Sequence, residues 1–73
     1  MINMVEVFKT NVYGARQSKV LLAKLHEHFP ACKINIDLED CDKVLRFEGE
    51  TFCANRVMEL LKLNGYKCEI LTY

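Results

Sequence analysis

The segment 32–38 alternates without a break: Cys32, Ile34, Ile36 and Leu38 are apolar, and Lys33, Asn35 and Asp37 between them are polar. Successive side chains of a β-strand point to opposite sides, so this period predicts a strand with one face buried and the other in water. It is the clearest strand in the chain. Every other element has to supply a partner for it or a cover for its apolar side.

Five further segments provide these. Val5-Glu6-Val7 alternates apolar and charged and predicts a first strand, with Phe8 pointing to the side opposite the valines. Over 13–28 the spacing changes to three and four: Leu21, Leu22, Leu25 and Phe29 form a stripe, and Pro30 marks the end of a helix. After the polar tetrad Glu39-Asp40-Cys41-Asp42, suited to a hairpin loop, 43–48 reads as a third strand. Leu45 and Phe47 point inward there, Val44, Arg46 and Glu48 point outward, and Gly49 stops the strand. A second helix is predicted over 52–64, with Thr51 capping it through its hydroxyl, Val57, Leu60 and Leu61 on its apolar side, and Asn64-Gly65 ending it. The segment 66–70 alternates again, with Tyr66, Cys68 and Ile70 on one face.

The order strand, helix, strand, strand, helix, strand, joined by right-handed crossovers, predicts an α+β fold. It is the ferredoxin-like sandwich: a four-stranded antiparallel sheet with two helices on one face. A chain of 73 residues has room for one such domain, spanning 1–73, and none for a second core. The other face of the sheet stays bare. On the parity above it carries Glu6, Phe8, Asn35, Asp37, Val44, Arg46, Lys67, Glu69 and Leu71.

With this order in hand, the chain resembles the heavy-metal-associated domains of copper chaperones and metal-transporting ATPases. The resemblance covers nearly the whole length. It rests on Val20-Leu21-Leu22-Ala23-Lys24-Leu25 in the first helix, the alternating 33–38 strand, and Leu60-Leu61-Lys62-Leu63-Asn64-Gly65-Tyr66 as the close of the second helix. In that family a soft metal is held by M-x-C-x-x-C in the loop after the first strand, where two thiolates near a helix start can share one ion. Here the same loop reads Thr10-Asn11-Val12-Tyr13-Gly14-Ala15, with no Met, Cys or His, so the family's ligands carry over to no residue of this chain.

The remaining candidates each have a plain reading. The four cysteines, Cys32, Cys41, Cys53 and Cys68, match no C-x-x-C zinc spacing. By parity Cys32 and Cys68 pack in the core as small hydrophobes, which leaves Cys41 and Cys53 as the accessible thiols. Cys53 in the first turn of the second helix is placed for a lowered thiol pKa, with no His or Lys adjacent in sequence. Asp37, Glu39, Asp40 and Asp42 read as a solvated turn, since the segment lacks the glycine and the terminal Glu of a calcium loop. His26 and His28, two apart, lie on different faces of a helix. Thr10, Asn11 and Tyr13 read as an ordinary turn and helix start, with a modest anion site as the alternative.

Ten basic and ten acidic residues cancel, which removes the electrostatic footprint of a nucleic-acid or membrane-surface binder. The chain opens without a signal-type segment and holds no apolar run long enough to span a bilayer, so a cytoplasmic protein with reduced thiols is expected. No catalytic constellation emerges. The expectation is therefore a non-enzymatic binding module without a cofactor. It would work through a protein partner or a second copy of itself, using the bare face around Phe8, Val44, Arg46, Lys67 and Leu71 or an exposed edge strand. The alternative is copper or zinc binding or transfer through Cys41 and Cys53, which requires two sulfurs about 4 Å apart.

Overall fold

The computed structural model describes residues 4–71. The elements follow the predicted order: β1 (Met4–Thr10), α1 (Ala15–His28), β2 (Lys33–Asp37), β3 (Val44–Gly49), α2 (Ala54–Leu63) and β4 (Cys68–Ile70). The strands form one antiparallel sheet in the order β2-β3-β1-β4, which is the ferredoxin-like arrangement. Both crossovers, β1 to β2 and β3 to β4, pass through a helix, because two strands running in the same direction cannot be joined by a tight turn.

The core lies between the sheet and the helices. Phe8, Leu45 and Phe47 from the two central strands and Ile34 from β2 meet Leu21 and Leu25 of α1 and Val57 and Leu61 of α2, all of them buried. Phe47 is central to an aromatic group: its ring meets Phe29 edge-on at 5.1 Å and Phe52 at a tilt at 5.0 Å. Such pairs add to the stabilisation from buried area alone.

The parity of β1 is the reverse of the one its Val-Glu-Val pattern predicts. Phe8 lies opposite Leu45, and Glu6 opposite Phe47, so these two face the helices while Val5 and Val7 face away. Phe8 is fully buried and takes no part in the bare surface assigned to it from sequence. A phenyl group removes more apolar area from water than a valine, and the position facing Leu45 is the one the helices cover. The strand is apolar on both sides here, so alternation could not decide between them.

Two helix boundaries also shift. Helix α2 starts at Ala54, with Cys53 in an extended conformation at the N-cap and no side-chain cap hydrogen bond, so Thr51 does not cap it. Helix α1 starts at Ala15 after an extended Gly14, two residues later than predicted. The end of α2 is as predicted: Gly65 has φ +87°, and the Tyr66 and Gly65 N–H groups donate to Leu61 and Lys62 carbonyls. That is a Schellman motif, which needs a residue tolerant of the left-handed region. The Lys24 ammonium donates to Asn64 Oδ1 at 2.7 Å and ties this end to α1.

Strand β3 ends at Gly49 as predicted, with the glycine itself buried as the last residue of the strand. A Cβ built there would lie 2.6 Å from the Cys32 sulfur, so a side chain at 49 would have to displace that thiol.

Candidate functional site

The loop joining β1 to α1 is built from its own polar atoms. The Thr10 hydroxyl donates to the Lys43 carbonyl at 2.7 Å and accepts the Val12 N–H at 3.3 Å, and the Thr10 N–H donates to the Asp42 carbonyl. These bonds fasten the loop to the β2–β3 hairpin on one side. On the other side Asn11 Oδ1 accepts the Lys67 N–H at 2.8 Å, which fastens it to the entry of β4. Val12 is fully buried in the core, while Tyr13 is 76% exposed. Gly14 offers no side chain to cap α1, and its carbonyl accepts the Ser18 N–H.

The loop thus presents amide, hydroxyl and phenol groups, and its Thr10 and Asn11 oxygens are engaged in holding the fold. Replacing Thr10 by valine keeps the shape and strands the Lys43 carbonyl and the Val12 N–H. The midpoint of urea unfolding should fall by the equivalent of about 1–2 kcal/mol, and Thr10→Ser should recover part of it.

Topology separates the thiols proposed as an alternative metal pair. Cys41 precedes β3 and Cys53 follows it, both exposed. The six-residue β3, about 20 Å long at about 3.3 Å per residue, lies between the two loops that carry them, so Cys41 and Cys53 sit in loops at opposite ends of that strand. Cys32 and Cys68 pack against the core from opposite edges of the sheet. Burial raises the Cys32 thiol pKa, and burial together with the neighbouring Glu69 carboxylate pushes Cys68 up to about 11, so both are poor nucleophiles at neutral pH.

Among the described residues, one set of ligand-type atoms gathers, on Asp40, Cys41 and Asp42, within 4.8 Å of one another. Its carboxylates have structural partners. Asp40 Oδ1 accepts the Asp42 N–H at 2.8 Å, and Asp42 pairs with the Lys9 ammonium at 3.7 Å. The Lys43 N–H donates to the Asp40 carbonyl and its ammonium to the Leu38 carbonyl, closing a turn in which Lys43 has φ 45°. The crowding of acids here builds a tight hairpin.

The helix-free face of the sheet is the remaining surface. The register aligns Lys33, Glu48 and Val5 in one row, and Asn35, Arg46 and Val7 in the next, with Leu71 donating its N–H to the Val7 carbonyl. Val44 lies opposite Asp37, and Lys9 opposite Glu69. Val44, Arg46 and Leu71 are therefore on the face predicted for them, with Lys67 beside them by alternation from Glu69. Val5 and Val7 take the place assigned to Phe8. The result is a short apolar strip, with Val5 46% exposed and Val7, Val44 and Leu71 half-buried, edged by an Arg46–Glu48 pair at 3.6 Å.

No protein-family model matches this chain, and a search of curated proteins found no match to it. The reading of its function therefore comes from its own surfaces. On the opposite side, a groove of about 540 Å³ runs between α2 and the start of β4, with Met58, Tyr66 and Cys68 as its apolar part and Glu59 and Lys62 at its rim. No helix among the described residues is long and apolar enough to cross a membrane.

Proposed function

We propose that this chain is a small non-enzymatic binding module, a heavy-metal-associated-like scaffold without the metal loop, whose partner is a protein. The observation that carries this reading is the helix-free sheet face. Val5, Val7, Val44 and Leu71 lie there in adjacent rows, surrounded by charges of both signs. An apolar strip with a mixed polar rim fits a protein surface, whereas a polyanion would call for a basic one. The β1–α1 loop, with its oxygens engaged inside the fold, supports the same reading, and four free thiols suit a reducing, cytoplasmic setting.

Two measurements test it. Titrating the reduced protein with Cu(I), and separately with Zn(II), against a competing chelator should give no stoichiometric complex. A tight one-to-one complex would overturn the reading in favour of a soft-metal carrier. In the second, a partner recovered with the wild-type protein should be lost with Val5→Lys, which places an ammonium opposite Glu48 on the open face and leaves the melting temperature within a few degrees. A partner retained by that variant would move the function off this face.

A further inference from the structure

Strand β4 is one edge of the sheet, and its hydrogen bonding divides its residues into two sets. Leu71 donates to the Val7 carbonyl, and Lys67 to Asn11 Oδ1, so odd-numbered residues here turn their backbone toward β1. Phe8 opposite Ile70 and Thr10 opposite Cys68 are accordingly the non-hydrogen-bonded pairs of the ladder. The N–H and C=O groups of Cys68 and Ile70 therefore point outward, to the unpaired edge. Such an edge is a template for a further strand.

The side chains select what that strand is. If β4 pairs antiparallel with itself on a two-fold axis through Cys68, each Lys67 lies opposite Glu69 of the second copy, twice over. Shifting the axis to Lys67 or to Glu69 sets like charges against each other. The outward groups match the same register: Cys68 exchanges two hydrogen bonds with Cys68 of the second copy, and each Ile70 N–H reaches a Tyr66 carbonyl. The Tyr66 N–H is already turned back to Leu61, so this outer pair makes one bond and the Ile70 carbonyl stays in water. On the helix side this register sets Ile70, 40% exposed in the monomer, against Tyr66 of the second copy, an aromatic and β-branched pair beside the Met58 groove.

The opposite edge, β2, has a comparable charge order in Lys33 and Asp37, but Ile34 there is already buried, so pairing would remove little apolar surface from water. We propose that the chain forms a two-fold dimer by antiparallel pairing of β4 with β4 of a second copy, registered on Cys68 by the Lys67 and Glu69 pairs. The inference deepens the binding-module reading and rests on it, with the second copy as the partner at this edge. A two-fold contact of this kind closes on itself and does not propagate.

The test is sedimentation equilibrium of the reduced protein from micromolar to millimolar concentration, combined with amide exchange followed by NMR. A monomer–dimer equilibrium is expected, with the Cys68 and Ile70 amides becoming protected as concentration rises. Lys67→Glu should weaken association about tenfold by setting two like-charge pairs across the axis, and Lys67→Glu with Glu69→Lys should restore it. The melting temperature of each variant separates lost pairing from lost folding. A monomer at every concentration, a dimer indifferent to Lys67→Glu, or protection at the β2 edge instead would overturn the proposal. Any of those results would leave a different protein as partner of the sheet face, whereas a Cu(I) complex would remove the underlying reading.

Discussion

Phe47→Ala should leave the protein largely unfolded at 37 °C. The side chain is fully buried on a central strand, holds Phe29 edge-on and Phe52 at a tilt, and lies opposite Glu6 in β1 and Ile34 in β2. Truncating a buried phenylalanine to alanine costs about 3–5 kcal/mol through lost transfer energy and the cavity that remains. A domain of this length has a total stability of only about 4–10 kcal/mol. The melting temperature followed by circular dichroism should fall by roughly 15–30 °C. Leu63→Ala is the matching control. Leu63 is also apolar and in α2, but it is 75% exposed, and its loss should move the transition by no more than a few degrees.

The second large effect is expected where a sequence reading sees only a turn. Val12→Ala should destabilise the fold by roughly 2–3 kcal/mol, because Val12 is fully buried and seals the core at the end of β1. Tyr13→Ala, one residue on, should cost no more than about 0.5 kcal/mol, since that ring is in water. Urea denaturation of the two variants in parallel checks the pair. Equal losses would mean that the loop is anchored as a whole and not through Val12.

Much of the fold was legible in the sequence because its period changes sharply. The alternation over 32–38 identified β2 and its buried side, Leu45 and Phe47 did the same for β3, and Asn64-Gly65 placed the end of α2 within a residue. The errors arose where two physical signals competed. In β1, valines on one side and a phenylalanine on the other are both apolar, so period alone could not choose, and the larger ring took the covered side. Thr51 is a good capping residue, but the chain stays extended through Cys53, and the helix begins beyond its reach. Val12 is a single apolar residue in a polar loop and leaves no periodic trace.

The surface was less legible than the core. Val44, Arg46 and Leu71 were found because their strands were correctly phased, whereas Val5 and Val7 were displaced by the β1 error. Cys41 and Cys53 looked comparable in sequence because parity put the other two cysteines, Cys32 and Cys68, in the core. The structure places Cys41 and Cys53 in loops at opposite ends of β3.

The β1–α1 junction divides its work by position. Residues 10–12 hold it in place through the Thr10 hydroxyl, the Asn11 amide and the buried Val12, while Tyr13, Ala15 and Arg16 are displayed to solvent. Substitutions at the displayed positions leave those three anchors untouched. Selection can therefore rewrite the outer half of this connection, changing what the domain shows at that end, without putting the folded state at risk.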